Sequence, residues 1–316
     1  MKKTAVLFPG QGSQYVGMGQ EFIEADSDAA ALMEMAEEAT GFSLRKLCLE
    51  GPMENLTRAV HLQPALTAVN LICWQQLQKA LPDFVPAYAG GHSLGECSAL
   101  HAAGVLSAAD TLKLVTKRGA LMEREGAAHP GGMRAVLGLT IETMESLLAE
   151  YTGGGTVVVA NHNTAEQIII SGDQEGLDGF SEVCRANGAG KIVPLKVSVA
   201  NHSPLVAGAV DDFAACMKTI PFNKPQLPVL FNVTAAQETD PTAIRGIMAR
   251  QIASRVRWYE SIQRIIEDGV EVFVELGPKR VLTGMLRKIL PRKSPVVCVQ
   301  ADTPELLEKA VAVITD

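Results

Sequence analysis

The segment Gly91-His92-Ser93-Leu94-Gly95 places a serine where it could act as a nucleophile. It matches the G-x-S-x-G pattern, in which the serine lies on a sharp turn between a strand and a helix and small neighbours relieve the crowding. The backbone N–H of Leu94 would lie at the start of that helix, where free donors and the helix dipole favour an anion. The segment therefore predicts nucleophilic chemistry at Ser93, with an oxyanion near Leu94.

The same segment allows a structural interpretation of the serine. Ser93 and Glu96 form an S-x-x-E pattern, which is typical of a capping box at the beginning of a helix. In that case Ser93 would only cap the helix. The motif alone leaves both roles open, and they do not fully exclude each other.

A serine nucleophile needs a general base, which is most often a histidine. Of the six histidines, His202 is the best placed, because it follows a strand-like run at 192–199 and precedes a Ser-Pro pair that predicts a helix over 204–217. Site residues collect at such strand-to-helix corners in open α/β sheets. His92 should point to the opposite side from the serine. Position alone also fits a half-exposed loop histidine, and no Asp or Glu stands out to orient the ring, although a backbone carbonyl could do so.

Glycines in the segment FPGQGSQYVGMG, residues 8–19, suggest a second functional turn. A dinucleotide site would need a third glycine where Tyr15 stands, and the chain has no G-K-[ST] of a P-loop, so a phosphate site is not predicted. Glycine also allows a backbone to pass close to a ligand with its N–H exposed, which suits an oxyanion hole. A plain turn between strand and helix remains the alternative.

Strand-like and helical segments alternate over most of the chain, which predicts an α/β fold with a parallel sheet and helices on both faces. The predicted strands of this part cover 4–8, 88–91, 228–232, 270–276 and 295–299, and the first long helix covers 21–40. The middle of the chain has a β-α-β-β-α-β order that ends in a strand over 191–197, which is typical of a ferredoxin-like unit. We therefore predict a core formed by residues 1–127 and 199–316, with an inserted subdomain at 128–198.

Composition narrows the class of protein. The chain has 316 residues, of which 47% are hydrophobic and 20% charged, and its net charge of -7 makes nucleic acid an unexpected partner. No apolar run reaches the roughly 18 residues of a membrane span. The six cysteines are scattered without metal-ligand spacing, which favours reduced thiols in a cytoplasmic protein and no metal site.

Taken together, the motifs resemble the malonyl-CoA:acyl carrier protein transacylases of fatty acid synthesis and the related acyltransferase domains of polyketide synthases. The resemblance spans the chain, in family order, through the blocks FPGQGSQYVGMG (8–19), QPAL (63–66), GHSLGE (91–96), KRGALM (117–122), MRAVLGL (133–139), ANHNTAEQIIISG (160–172), NHSPLV (201–206), FNVTA (231–235) and ELGPKRVLTGML (275–286). It implies an α/β-hydrolase-like core with a ferredoxin-like insert. It also implies ping-pong transfer of malonyl through a serine ester.

The resemblance further implies a role for each candidate site residue. Ser93 would be the nucleophile and His202 the base, while Arg118 would hold the malonyl carboxylate. Gln11 and Leu94 would supply the oxyanion-hole N–H groups, Gln251 would orient His202 through its main-chain carbonyl, and Gln63, Asn161 and Asn201 would line the substrate site.

The family's partners follow in the same way. The resemblance implies malonyl-CoA and acyl carrier protein as partners, with coenzyme A as part of the substrate and phosphopantetheine carried by the partner, and no separate cofactor or metal. We expect no nucleic acid, no membrane, and a monomer.

Three points stay open from the sequence. Malonyl-specific relatives often carry Phe or Ser before the histidine, whereas this chain has Ala200-Asn201, so strict malonyl specificity is not secured. Residues 276–300 carry six basic residues and no acid, which fits either a docking surface for an acidic carrier protein or a solvated helix end. A serine hydrolase and a noncatalytic carrier-binding module remain alternative functions.

Overall fold

Two four-stranded sheets organise the protein, which a computed structural model describes over residues 1–316. In chain order the strands are β1 (Thr4–Phe8), β2 (Tyr88–Gly91), β3 (Gly132–Leu137), β4 (Val157–Thr164), β5 (Gln167–Gly172), β6 (Lys191–Pro194), β7 (Val272–Glu275) and β8 (Val297–Gln300). The first sheet has the order β2-β1-β7-β8, and all its pairs are parallel. Strand β1 is buried along its whole length, as expected for an apolar strand covered on both faces. The predicted α/β class with a parallel sheet is confirmed.

Helices pack against both sheets. They are α1 (Gln20–Ala25), α2 (Ser27–Thr40), α3 (Leu44–Glu50), α4 (Met53–Thr57), α5 (Ala59–Ala80), α6 (Gly95–Ala102), α7 (Ala108–Ala128), α8 (Ile141–Ala149), α9 (Gln174–Ala186), α10 (Val210–Lys218), α11 (Pro241–Gln251), α12 (Trp258–Glu267), α13 (Val281–Ile289) and α14 (Pro304–Thr315), with a 3-10 helix at Pro204–Ala209. None of the helices combines the length and the apolar character needed to cross a membrane.

The second sheet has the order β4-β5-β3-β6, and all its pairs are antiparallel. Its strands and helices follow the order strand, helix, strand, strand, helix, strand, and helices α8 and α9 cover an apolar cluster of their own. Two backbone bonds join β4 to the rest of the protein: the N–H of His162 donates to Val256 O at 2.9 Å, and the N–H of Val256 donates to Ala160 O at 2.8 Å. These bonds fix β4 beside the carboxyl end of the parallel sheet.

A close helix crossing brings two candidate residues together. Helix α7 packs against the start of α5 at Gly119, where a Cβ atom would lie only 2.6 Å from the backbone oxygen of Ala59. Only glycine allows this approach without displacing backbone. The crossing places Arg118 of α7 beside Gln63 of α5.

Several predicted elements have different limits. The helix predicted over 21–40 is two helices, because the Asp26 side chain accepts the N–H groups of Asp28 and Ala29 and starts a new helix there. The helix predicted over 204–217 begins as the 3-10 helix and continues as α10. The strand predicted over 191–197 ends at Pro194, and proline has no N–H with which to extend a ladder.

The strand predicted over 228–232 is absent as a regular element. Only isolated bridges form there, at Val229 and Leu230. The backbone N–H of Asn232 donates to a carboxylate of Glu96 instead of to a neighbouring strand. The chain leaves the sheet at this point, and Asn232 contacts Ser93 and Glu96.

Candidate active site

Ser93 occupies a strained turn between β2 and α6. Its φ of 53° lies in the left-handed region, which costs a residue other than glycine about 1–2 kcal/mol. The turn passes close to β1, since a Cβ atom on Gly95 would lie 2.0 Å from Phe8 O. Asn232 Oδ1 accepts the Ser93 N–H at 2.7 Å, and Gln251 Nε2 donates to the Ser93 carbonyl at 2.8 Å. Both backbone groups of the serine are therefore held.

The capping-box interpretation of Ser93 is wrong. Helix α6 begins at Gly95 after Leu94, and no side chain caps it. The carboxylate of Glu96 accepts hydrogen bonds from Asn232 and Gln251 and none from the Ser93 N–H. The Ser93 hydroxyl is thus free of the helix end.

The side chains of Ser93 and His202 meet although 109 positions separate them in the chain. Ser93 Oγ lies 2.8 Å from His202 Nε2. On the other side of the ring, Nδ1 lies 3.0 Å from the carbonyl oxygen of Gln251 and 2.9 Å from that of Ser254. Because carbonyls only accept, the proton of the neutral ring is on Nδ1, and Nε2 is free to accept the serine proton. The main-chain carbonyl expected from Gln251 is present, and Ser254 shares its task.

Burial and a nearby charge keep His202 neutral. Burial is the larger cause and the Arg118 guanidinium the next, and together they lower the pKa of His202 to about 3. A histidine is neutral above its pKa, so this ring can accept a proton over the whole physiological range.

Arg118 is a buried cation without a carboxylate partner. Its side chain donates to Gln63 Oε1 at 2.9 Å, to Gln251 Oε1 at 3.2 Å and to Ser93 Oγ at 3.2 Å, while its Nε has no partner. The residue is 4% exposed, and no Asp or Glu lies within ion-pair distance. A buried charge is costly unless it is paired, so this guanidinium is suited to an anionic ligand beside the serine.

Two residues of the cavity lining have backbone amides without a backbone partner. Gln11 and Leu94 both line the cavity around Ser93, and neither N–H donates to another backbone group. The Gln11 loop lies close to the serine turn, because a Cβ atom on Gly10 would be 2.4 Å from His92 O. Free amides in such a position suit an oxyanion.

The cavity has a volume of about 210 Å³ and a lining of both polar and apolar residues. Ser93, His202, Arg118, Asn161 and Asn201 form part of its polar lining. The apolar lining comes from the antiparallel sheet, the segment after it and α13; it includes Met133, Ala135, Ile169, Leu195, Val197, Leu282 and Met285. Gln63 and Gln251 are not part of the lining, and they contact the substrate space only through Arg118, Ser93 and His202.

His92 also lines the cavity, although its side chain has other partners than the Ser93 hydroxyl. Its Nε2 lies 2.8 Å from Asn163 Oδ1, and its ring packs edge-on against Trp258. Burial lowers the pKa of His92.

Four residues of the site were not singled out by the sequence as site residues: Glu96, Asn163, Asn232 and Ser254. Glu96 carried a signal, since an S-x-x-E pattern marked it, but the pattern pointed to helix capping. Asn232 lies in the FNVTA block and Asn163 in the ANHN block, so their positions were visible without their contacts. Ser254 contributes only a backbone carbonyl, which no residue type can reveal.

Comparison with known proteins agrees with this geometry. The family profile of the Acyl transferase domain matches residues 6–303. The malonyl CoA-acyl carrier protein transacylase of Bacillus subtilis (strain 168) is 36% identical over 317 residues, covering 100% of this chain and 98% of that protein.

Two solved structures are similar over almost the whole chain. The structure of the malonyl CoA-acyl carrier protein transacylase from Coxiella burnetii has a TM-score of 0.94 at 34% identity and covers 100% of this chain and 98% of that one. A malonyl-transacylase solved in complex with a type II PKS acyl-carrier protein has a TM-score of 0.93 at 34% identity, covering 98% and 99%. The resemblance found in the sequence is confirmed, and the chain belongs to the acyl transferase family.

Proposed function

We propose that the protein transfers the malonyl group of malonyl-CoA to the phosphopantetheine thiol of acyl carrier protein, for fatty acid biosynthesis. The observation that carries this proposal is Arg118, a buried guanidinium without a carboxylate partner, 3.2 Å from the hydroxyl of Ser93. The Bacillus subtilis and Coxiella burnetii relatives bear the name of this activity.

The first half-reaction loads the serine. His202 Nε2 takes the proton of Ser93 as Oγ attacks the thioester carbonyl, and the N–H groups of Gln11 and Leu94 receive the oxyanion. When the tetrahedral intermediate collapses, the carbon–sulfur bond breaks and His202 returns the proton to the sulfur of coenzyme A. Malonyl remains on Ser93 as an ester.

The second half-reaction repeats these steps with another thiol. The phosphopantetheine thiol of the carrier protein gives its proton to His202 and attacks the ester, and the serine leaves with that proton. Every bond change is balanced by these residues and the two thiols, so we propose that no separate cofactor takes part.

Selectivity for malonyl follows from the pairing of Arg118. A planar guanidinium binds a carboxylate through two parallel charge-assisted hydrogen bonds. An acetyl or fatty acyl group would leave the guanidinium desolvated and unpaired. Asn201 borders the same space, 3.8 Å from the sulfur of Met133, so substituents on the malonyl α-carbon would meet these two side chains.

Mass spectrometry with a panel of acyl-CoA donors tests the function. After mixing with malonyl-CoA, we expect one malonyl adduct on Ser93, and with acetyl-CoA an adduct that forms at least about 100-fold more slowly because a buried charge stays unpaired. The loading rate with methylmalonyl-CoA measures how strictly Asn201 excludes a substituent on the α-carbon of the donor. Equal loading by malonyl and acetyl, or rapid release of malonate to water without carrier protein, would favour a serine hydrolase instead.

A basic surface formed by α13 and the residues next to its two ends supports the choice of carrier protein as acceptor. Its exposed members are Lys279, Arg280, Arg287, Lys288, Arg292 and Lys293. Helix α13 also contributes Leu282 and Met285 to the cavity, so an acidic partner bound there would contact a helix that lines the cavity. Opposite charges raise the rate of encounter more than they raise final affinity. One structurally similar malonyl-transacylase was solved in complex with an acyl-carrier protein.

Charge reversal tests this docking surface. For the double variant Arg287→Glu and Lys288→Glu, we expect kcat/KM for the carrier protein to fall about 10-fold or more at low salt, while loading from malonyl-CoA stays unchanged. The matched control is Lys113→Glu with Lys117→Glu, which reverses two exposed charges one helical turn apart on α7. An equal loss in both double variants would mean that only net charge matters and that α13 is not the docking surface.

We also propose the division of the chain predicted above, a hydrolase-like unit at 1–127 and 199–316 with a ferredoxin-like insert at 128–198. The antiparallel order β4-β5-β3-β6 and its separate apolar cluster support it. All six cysteines are free, which agrees with a cytoplasmic location. We propose that the enzyme acts as a monomer.

A further inference from the structure

We propose that Glu96 is a positioning residue for the nucleophile: its buried carboxylate holds the two residues that fix the backbone of Ser93. Glu96 is 0% exposed and does not line the cavity, so it touches no substrate. The inference rests on the proposed function only for the identity of the acyl donor, because the contacts concern the serine and histidine themselves.

One carboxylate serves both sides of the serine turn. Glu96 accepts the backbone N–H of Asn232 on Oε1 and the Gln251 Nε2 on Oε2, each at 2.6 Å. Asn232 in turn accepts the N–H of Ser93 at 2.7 Å, and Gln251 donates to its carbonyl at 2.8 Å. Ser93 has an unfavourable φ, so its geometry depends on such outside support.

The polarity of this network requires an acceptor at both oxygens. Gln251 Nε2 must donate, because it also faces the Ser93 carbonyl, and Gln251 Oε1 must accept, because it faces Arg118. The backbone N–H of Asn232 can only donate. With glutamine at 96 and its oxygen facing the Asn232 N–H, its NH₂ group would face the NH₂ group of Gln251. If Gln251 turned to avoid this, its NH₂ group would face the guanidinium of Arg118 instead.

One charged group acts on Glu96 without forming an ion pair with it. This group is Arg118 of α7; Cys97, the neighbour of Glu96 on α6, stays a neutral thiol because burial raises the pKa of Cys97 to about 12. Burial raises the pKa of Glu96 to about 7, although its hydrogen bonds and the charge of Arg118 act to lower that pKa. Protonation below that pKa removes an acceptor, so we expect malonylation to slow on the acid side. His202 does not cause such a loss, since its pKa lies at about 3.

The test is Glu96→Gln, which changes polarity and charge at constant shape. We expect the rate constant for malonylation of Ser93 to fall about 10- to 100-fold, the usual effect of removing a hydrogen bond to a charged group. We expect the acid limb near neutral pH to disappear, since the titrating group is gone. The matched control is Glu125→Gln on α7, another carboxylate only 4% exposed, which pairs with Arg124 away from the serine. It should keep the wild-type rate within about twofold and the wild-type pH profile.

A second variant covers the case in which Glu96→Gln does not fold. Glu96→Asp keeps the charge but is too short for both contacts, and we expect about 3- to 10-fold slower malonylation with the acid limb retained. A wild-type rate in either variant would overturn the proposal. So would an unchanged acid limb in Glu96→Gln, because the carboxylate would then have only a structural role.

A fluorophosphonate separates this inference from the proposed function. The reagent phosphonylates an activated serine, with fluoride as the leaving group, and needs no recognition of malonyl. We expect Glu96→Gln to slow its reaction with Ser93 by the same factor. If the wild type reacts with the reagent but never accepts malonyl, the proposed function fails while the role of Glu96 is still tested. Equal phosphonylation of wild type and variant would refute the role of Glu96 alone.

Discussion

Replacing Ser93 with alanine is expected to abolish the malonyl adduct and to lower carrier-dependent transfer by about 10⁴- to 10⁶-fold, the range seen when a catalytic nucleophile is removed. The reason is geometric. Ser93 Oγ is the hydroxyl that contacts both His202 Nε2 and Arg118, so no other side chain can take over its chemistry. Intact-protein mass spectrometry with malonyl-CoA, followed by a carrier-protein assay, measures both effects.

The control for this variant lies on α6, the helix that follows the serine turn. Ser98 is fully buried, and its Oγ lies 3.3 Å from Asn70 Nδ2; the residue is not part of the cavity lining. Ser98→Ala should retain loading and transfer. If Ser93→Ala retained turnover as well, the protein would be a carrier-binding module, or the carrier thiol would react with malonyl-CoA directly.

Local signals made Ser93 and His202 candidates, and the resemblance gave them the proposed roles of nucleophile and base. Ser93 lies in a five-residue pattern and His202 at a strand-to-helix corner, but each local signal also fitted a structural role. Their contact could not be predicted in this way, because it depends on the packing of segments 109 positions apart. Arg118 had no local signal, and only the resemblance separated it from other charged residues of α7.

The residues that support the serine turn could not be predicted from the sequence, for the same reason. Glu96 meets Asn232 across 136 positions and Gln251 across 155, and a buried carboxylate gains its role from those partners alone. A local pattern suggested capping, since S-x-x-E is a sound local signal. The fold imposed different partners on both residues of that pattern.

The same distinction applies to the fold. The apolar run of β1 and the small residues of β2 suffice to predict strands of a parallel sheet. The run at 228–232 has equal apolar character but forms only bridges, because Asn232 is needed at the serine turn. Tertiary hydrogen bonds overrode strand propensity at this position.

Arg118→Ala is expected to change the choice of donor more than the chemistry. Loss of a buried guanidinium–carboxylate pair costs about 3–5 kcal/mol, so kcat/KM for malonyl-CoA should fall about 10²- to 10³-fold. Acetyl-CoA has no carboxylate to lose, and its loading should stay the same or rise. The Arg118 charge also lowers the pKa of His202, so removing that charge makes the base stronger. The ratio of the loading rates with malonyl-CoA and acetyl-CoA measures this change in donor preference.

Arg118→Lys separates charge from geometry in this prediction. A lysine keeps the positive charge but loses the fork that holds a carboxylate with two bonds and that also contacts Gln63 and Gln251. We therefore expect a malonyl preference between those of the wild type and Arg118→Ala. An equal loss of malonyl and acetyl loading in Arg118→Ala would mean that Arg118 maintains the serine turn and does not select donors by binding their carboxylate. Selectivity would then have to come from the other lining residues of the cavity.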